Sequence, residues 1–266
     1  MVIYDNFRIG DEGSRFNLVS LGQYSGTADS FVQRCPGNVE YTQNTFIGED
    51  QTCTVLPTDC SEIFQNGSTE NGVYTILPNN WSGLPFKVYC NMENGRGWTV
   101  FQRRVNGSVN FYLDWEDYKE GFGFLDHEFW LGNDKIATLT NQRGYELRID
   151  LINSLDTPYY ATYSYFLITN EDDNYRLTLG SFGGNTGTDA LDYARGYPFS
   201  TRDQDNDLID GNCAQYWHGA WWYTYCHHSN LNGGYFESEY RGVWWNDLPG
   251  NEYNIQYTEM KIRPIK

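Results

Sequence analysis

Residues 221–233 read Trp221-Trp222-Tyr223-Thr224-Tyr225-Cys226-His227-His228-Ser229-Asn230-Leu231-Asn232-Gly233, a run that joins aromatic rings to a cysteine, two histidines and an Asn-Gly turn. Shortly upstream lie an acidic loop, Asp203-Gln204-Asp205-Asn206-Asp207, and a further cysteine, Cys213. Together they predict a cross-linked surface that offers aromatic faces and oxygen ligands for a hard cation. Such a surface suits the recognition of a polar ligand better than it suits catalysis.

The charge balance excludes two classes of partner. The chain has 18 Lys and Arg residues against 35 Asp and Glu residues, a formal net charge of −17. Nucleic acids and anionic membrane surfaces both select clustered positive charge, so neither is expected as a partner. The sequence contains no apolar run of about 18 residues, which predicts that no segment inserts into a membrane.

The cysteines and sequons favour a secreted protein. The six cysteines form an even set without a Cys-x-x-Cys pair, which favours disulfides over a zinc site or buried free thiols. Sequons begin at Asn66, Asn80 and Asn106. The N-terminus has no signal-peptide pattern. Removal of a signal by processing, an incomplete chain and cytosolic residence all explain this, and the cysteine pattern disfavours cytosolic residence.

An internal repeat divides the chain. The segment 7–18 parallels the segment 166–177, and each copy predicts a strand, an acidic turn and a second strand. We therefore interpret residues 1–31 as a partial copy of a hairpin from the main domain. Residues 32–57 are polar and without periodicity, so we predict a linker pinched by a disulfide between Cys35 and Cys53. The main domain is predicted to span 58–266.

Within that domain the pattern predicts mainly strands. The predicted strands are 72–77, 86–90, 98–104, 145–151 and 255–262. Short helices are predicted at 114–121, where Asp114 and Gly121 cap the ends, and at 133–139. Beyond Gly180 the sequence becomes rich in long loops, which in compact domains are usually functional.

The acidic loop has two interpretations. Asp203, Asp205 and Asp207 open like an EF-hand calcium loop, but the Gly and Glu that this motif requires are replaced by Leu208 and Ala214. The remaining carboxylates can still bind Ca²⁺ if backbone carbonyls complete the shell. The alternative is a solvated turn rich in Asp and Asn.

The aromatic and histidine residues also have alternatives. Trp221 and Trp222 are predicted to be core, and Trp217 to be exposed. A disulfide at Cys226 would rule out a thiol nucleophile. His227 either donates to a ligand carbonyl or bonds the backbone. The chain lacks the nucleophile, zinc-hydrolase and phosphate-loop motifs, and Gly121-Phe122-Gly123-Phe124 is too incomplete for a dinucleotide loop, so we predict no enzymatic activity.

About four fifths of the chain, from Cys60 to Lys266, resembles a fibrinogen-related domain of the ficolin and tachylectin type. The matching motifs are Cys60-Ser61-Glu62-Ile63, Gly97-Trp98-Thr99-Val100-Phe101-Gln102-Arg103-Arg104, Gly121-Phe122-Gly123, Glu128-Phe129-Trp130-Leu131-Gly132-Asn133, Asp205-Asn206-Asp207, Gly211-Asn212-Cys213-Ala214, the stretch quoted first, and Glu259-Met260-Lys261-Ile262-Arg263-Pro264. The resemblance implies an α+β domain: three subdomains around antiparallel sheets, with a loop-rich C-terminal binding subdomain.

The resemblance also implies the cross-links and the metal site. It implies disulfides Cys60–Cys90 and Cys213–Cys226, which leaves Cys35–Cys53 as an extra bridge. Ca²⁺ would be held by the carboxylates of Asp205 and Asp207 and by the carbonyls of Ile209 and Gly211.

A ligand pocket is implied beside this loop. A cis peptide between Tyr225 and Cys226 would turn the Cys226 N–H toward the ligand, and His227 would assist. Trp217, Tyr240 and Tyr253 are the aromatic wall residues that the resemblance implies. The ligand would be an acetyl group, as on N-acetylglucosamine, with its methyl among the rings and its carbonyl on the N–H.

The chain departs from that pattern around 233–242, which is several residues shorter than in typical lectins. Our main hypothesis is an extracellular, Ca²⁺-dependent lectin for N-acetylated glycans in innate recognition. The rival is a protein-binding module whose cationic ligand is drawn by Glu237, Glu239 or Asp247. A single acetyl site binds weakly, so useful binding needs several copies, and a homo-oligomer is a further expectation to test.

Overall fold

The computed structural model describes residues 55–265, apart from 236, 238–240, 250–254 and the side chain of 94, together with six short strands in the first 55 residues. The chain divides into two compact units, Met1–Leu56 and Pro57–Lys266.

The first unit contains short antiparallel pairs. Its strands are β1 (Ile3–Tyr4), β2 (Arg8–Ile9), β3 (Leu18–Ser20), β4 (Tyr24–Ser25), β5 (Thr45–Ile47) and β6 (Cys53–Val55). Strand β1 pairs with β4, β2 with β3, and β5 with β6. The last pair lies where we predicted a linker without regular structure, and its β-branched and aromatic residues favour strands. The predicted Cys35–Cys53 disulfide lies outside the described residues.

The second unit is built on one antiparallel sheet. Its strands are β7 (Gly72–Ile76), β8 (Phe86–Asn91), β9 (Trp98–Arg104), β10 (Phe122–Gly123), β11 (Phe129–Trp130), β12 (Tyr145–Ile152), β13 (Pro158–Ile168), β14 (Leu177–Leu179), β15 (Phe182–Gly184), β16 (Ser229–Asn230), β17 (Trp244–Trp245) and β18 (Tyr257–Pro264). The main path runs β10-β11-β9-β18-β12-β13-β14, while β7 and β8 extend it beside β9 and β15 pairs with β13. The last strand therefore lies in the centre, between β9 and β12.

Strand β12 shows why the sheet has one apolar face. Its residues alternate between buried and half-buried from Tyr145 to Ile152, as the sequence pattern predicted. Leu147 and Ile149 point into the core, where they join Met260 and Ile262 of β18. This shared apolar face fixes the register, because a slip of one residue would expose it.

Four short helices occur in the described residues: α1 (Cys60–Gln65), α2 (Trp115–Glu120), α3 (Asn133–Gln142) and α4 (Cys213–Tyr216). The predicted caps of α2 are present. The Asp114 N–H donates to Asp117 Oδ2 at 3.2 Å. Gly121 ends the helix at a φ of 95°, where any side chain would meet the carbonyl of Leu131. None of the described helices has the length and apolar character needed to cross a bilayer.

The structure confirms the predicted α+β class with antiparallel sheets and few helices. The Cys60–Cys90 bridge joins α1 to β8. Trp221 and Trp222 are fully buried, which confirms that they are core residues. Between β15 and β18 the described residues form mostly turns and bends, with a 3-10 helix at Asp192–Ala194, α4 and the small β16–β17 sheet as the regular elements.

Candidate functional site

The acidic loop is organised around Asp207. Its Oδ1 accepts from the N–H of Ile209 at 2.9 Å, and its Oδ2 accepts from the N–H of Cys213 at 2.7 Å. Asp205 Oδ1 in turn accepts from the N–H of Asp207 at 3.1 Å. Burial and the neighbouring Asp205 carboxylate raise the pKa of Asp207, although the two backbone donors oppose that rise.

This carboxylate pair fits a hard cation. No Lys, Arg or His of the described chain forms an ion pair with Asp205 or Asp207, so no cationic side chain there balances their charge. No group of three or more His, Cys, Asp or Glu residues gathers in the described part of the chain. A bound Ca²⁺ would therefore need backbone carbonyls and water to complete its shell, and Ile209 and Gly211 remain the proposed carbonyl ligands.

The third acidic residue of the loop has a different role. Asp203 Oδ1 accepts from the N–H of Trp115 at 2.9 Å and from the hydroxyl of Thr201 at 2.6 Å. It therefore caps the start of α2 and anchors the loop to the rest of the domain.

Two links join the acidic loop to the stretch that follows Tyr223. The N–H of Leu208 donates to the carbonyl of Thr224 at 3.1 Å. The disulfide Cys213–Cys226, which the resemblance implied, is present and closes the other side. A cation held by Asp207 would therefore fix both segments at once.

The prediction of a cis peptide between Tyr225 and Cys226 is wrong, because no peptide bond of the described residues is cis. The chain turns there by another route: Cys226 has a φ of 66°, and the N–H of Thr224 donates to its carbonyl at 2.9 Å. A trans bond followed by a left-handed residue therefore makes the turn at this position.

Aromatic rings surround His227. The rings of Trp217 and His227 meet edge to face at 5.5 Å, and those of Tyr223 and Trp244 lie at 6.0 and 6.5 Å from the imidazole. Asn230 holds this group together, since its Oδ1 accepts from the Tyr223 hydroxyl and its Nδ2 donates to the Trp217 carbonyl. We call Trp217, Tyr223, His227 and Trp244 the aromatic cluster.

The other predicted pocket residues fall in different positions. Tyr225 is 69% exposed and Trp217 is half-buried rather than fully exposed. His228 stacks on Tyr193, with ring centres 3.9 Å apart, and takes no part in the aromatic cluster. Tyr240 and Tyr253 lie outside the described residues.

Described residues of the short 233–242 segment form polar contacts with other parts of the domain. Glu237 Oε1 lies 2.8 Å from His218 Nδ1, and Arg241 Nε donates to the carbonyl of Tyr216 at 3.1 Å. Arg104 of β9 donates to the Gly233 carbonyl at 2.7 Å. The rival hypothesis drew a cationic ligand to Glu237, but this carboxylate already has a histidine partner.

The geometry fits one known family. Residues 56–265 match the family model of the fibrinogen beta and gamma chains, C-terminal globular domain. The chain belongs to this family. Fibrinogen C domain-containing protein 1 of Xenopus tropicalis is 45% identical over 219 residues, which cover 78% of this chain and 47% of that protein.

Other relatives also support membership of this family. Ryncolin-4 of Cerberus rynchops is 48% identical over 220 residues, which cover 79% of this chain and 63% of that protein. The fibrinogen-like globe domain of human ANGPTL2 superposes with a TM-score of 0.75 at 39% identity, and covers 78% of this chain and 99% of that one. The chain thus spans less than two thirds of both curated relatives. Domains of this family are generally binding modules and not enzymes.

The fibrinogen-like domain also contains site residues that sequence reasoning missed. Trp244 lies beside His227 because β17 pairs with β16, where Asn230 is opposite Trp244. The pairing of His218 with Glu237 was also missed, although Glu237 itself was named as a candidate. The Trp244-Trp245 doublet was visible in the sequence, but nothing in its spacing placed it next to a histidine 17 positions earlier.

Proposed function

We propose that this fibrinogen-like domain is an extracellular, Ca²⁺-dependent lectin that binds the acetyl group of N-acetylated glycans. The observation that carries the proposal is the connection between the acidic loop and the aromatic cluster. Asp207 bonds the N–H of Cys213, and Cys213 is cross-linked to Cys226, which precedes His227. An ion in the loop would thereby stabilise the position of the imidazole.

The chemistry of the aromatic cluster supports an acetyl ligand. Aromatic faces provide an apolar seat for a methyl group, while an imidazole or a backbone N–H can donate to a carbonyl oxygen. Trp217, His227 and the exposed Tyr225 are the residues we assign to this contact, with Tyr240 and Tyr253 as further candidates.

Ca²⁺ would act by fixing the loop and not by contacting the sugar. The two carboxylates repel each other when no cation is present; burial raises the pKa of Asp207 most, and the Asp205 carboxylate adds to that rise. Binding of the ion removes that repulsion and lowers the free energy of the folded loop. Secretion is part of the proposal, because disulfides persist in oxidising compartments.

The test is calorimetric titration with N-acetylglucosamine and with glucosamine, first in Ca²⁺ and then in chelator. We expect binding of the acetylated sugar alone, and its loss on chelation. His227→Ala should weaken binding, whereas His228→Ala is a matched control because His228 stacks on Tyr193 outside the aromatic cluster.

A multivalent acetylated polymer guards against missing a weak single site. If neither the sugars nor the polymer binds in Ca²⁺, the lectin proposal fails and a protein ligand becomes the function to test. Binding that persists unchanged in chelator would contradict only the role of the metal loop.

A further inference from the structure

A concave site lies away from the acidic loop, in a groove of about 680 Å³. One wall is the segment that follows β7, with Asn80, Trp81 and Ser82. The other wall consists of α3, which contributes Asp134, Thr138 and Asn141, and of the turn after β13. Its volume is in the range of small-molecule sites, and it shares no residue with the aromatic cluster or the acidic loop.

The groove is preformed. The N–H of Asn79 donates to Gln142 Oε1 at 3.0 Å, which ties the segment after β7 to the end of α3. The indole N–H of Trp81 donates to the carbonyl of Leu84 at 2.9 Å, and its ring meets Phe86 edge to face at 5.2 Å. These contacts hold the Trp81 ring at the rim without a ligand.

Polar groups with spare bonding capacity line the same groove. Within the described residues, the side-chain amide of Asn80 and the hydroxyl of Ser82 have no hydrogen-bond partner. Asn80 is exposed and has a φ of 63°, a left-handed conformation that asparagine tolerates better than most residues. Donors are therefore available on this wall.

Fixed acceptors lie on the opposite wall. Asn141 Nδ2 donates to the carbonyls of Ala137 and Ile168 at 2.7 and 2.8 Å, which orients the amide and leaves its oxygen as an acceptor. Asp134 Oδ1 accepts from the Tyr175 hydroxyl at 2.7 Å, and its second oxygen has no partner among the described residues. Two oriented acceptors beside an aromatic ring match the edge and face of a sugar, whose hydroxyls donate while its C–H face packs on the ring.

We propose that this groove binds a neutral carbohydrate, with Trp81 as the packing face and Asp134 and Asn141 as hydroxyl acceptors. The Asp134 carboxylate disfavours anionic sugars through like-charge repulsion. A neutral carbohydrate could reach the groove from two sources. One is a glycan on Asn80 itself, since Asn80-Trp81-Ser82 is a sequon in the groove wall. The other is a free saccharide.

The first arm of the test concerns the attached glycan and rests on the extracellular location proposed above. The chain is secreted from eukaryotic cells, and the occupancy of Asn80 is measured by mass spectrometry of its glycopeptide. We expect Ser82→Ala to remove the glycan and to lower the thermal midpoint by about 2–4 °C. Ser68→Ala, in the sequon that begins at the exposed Asn66, is the matched control and should leave the midpoint unchanged.

The second arm concerns a free saccharide and uses protein from a host that does not glycosylate. Mannotriose, which has no acetyl group, is titrated to millimolar concentration while the indole N–H resonance of Trp81 is followed by NMR. We expect a saturable shift that is lost in Asn80→Gly and in Asn141→Ala, which removes the acceptor oxygen. Glycine tolerates the left-handed backbone at position 80, so the first of these variants should fold.

The arms give decisive outcomes. A midpoint change with an occupied Asn80 identifies the attached glycan, and a Trp81 shift that survives in His227→Ala identifies a free saccharide at a site separate from the proposed lectin site. If the midpoint is insensitive to Ser82→Ala and mannotriose shifts no groove resonance, the carbohydrate proposal is overturned, whether or not Asn80 is glycosylated.

Discussion

Asp207 Oδ2 accepts a hydrogen bond from the backbone N–H of Cys213 at 2.7 Å, so a proposed metal ligand also caps the first residue of α4. The same carboxylate bonds Ile209 through its other oxygen. Asp207 therefore acts on the fold even when no metal is bound, while within the described residues Asp205 accepts from the N–H of Asp207 alone.

This difference predicts unequal effects of two similar substitutions. Asp207→Asn should lower the free energy of unfolding in chelator by about 1–3 kcal/mol, because one buried N–H loses its acceptor. Asp205→Asn should cost less, since an amide oxygen can replace its single acceptor. Both should weaken Ca²⁺ binding. Denaturant unfolding in chelator and calorimetry with Ca²⁺ measure the two effects, and equal stabilities in chelator would contradict the capping role of Asp207.

The environment of Glu128 predicts how the stability of the domain depends on pH. Burial favours its neutral form, but the N–H groups of Val105, Asn106, Gly107 and Val109 outweigh burial and lower the pKa of Glu128 to about 2. The lowered pKa means that folding stabilises the ionised carboxylate of Glu128. This stabilisation is fully present above the pKa of the unfolded state, about 4.3, and is lost as pH falls toward 2.

Glu128→Gln should therefore destabilise the domain at pH 7 by about 1–3 kcal/mol, because a backbone donor now faces an amide NH₂. The difference in unfolding free energy between wild type and variant should shrink as pH falls below about 4.3. Denaturant titrations at several pH values check this. A difference that is constant from pH 7 to pH 2.5 would refute the charge-based explanation.

Gly211 has a φ of 130°, and a Cβ there would lie 2.7 Å from the hydroxyl oxygen of Tyr216. Gly211→Ala should distort the acidic loop and weaken Ca²⁺ binding by about tenfold, or 1.4 kcal/mol. Gly196→Ala is a matched control: Gly196 has a φ of 80° with open space around it. It should show backbone strain in its stability without any change in Ca²⁺ affinity.

Trp217 and His227 should contribute jointly to sugar binding, because their rings meet edge to face at 5.5 Å. Each alanine variant should weaken N-acetylglucosamine binding. The double variant should lose less than the sum of the two, with a coupling of about 0.5–1.5 kcal/mol. Calorimetry on the four proteins, with stabilities measured in parallel, completes the cycle. Strict additivity would show that the two residues contact the ligand independently or not at all.

The regular elements that were predicted have local determinants, whereas α1, α4 and most of β13 were not predicted from the sequence. Alternation in β12 gave its buried face, and Asp114 and Gly121 gave the ends of α2. The disulfides Cys60–Cys90 and Cys213–Cys226 came from the family resemblance, and both are present. The cis peptide came from the same source and was wrong, because a positive φ at Cys226 makes the turn here.

The sequence by itself determined the buried face of β12, the ends of α2 and the acidic character of the loop, because these depend on residues close together in the chain. Only the tertiary structure brought Trp244 to His227, paired His218 with Glu237 and set Asn80 and Trp81 opposite Asn141. Such contacts join segments that are far apart in the chain, and their positions depend on the packing of the whole domain, which no local pattern encodes.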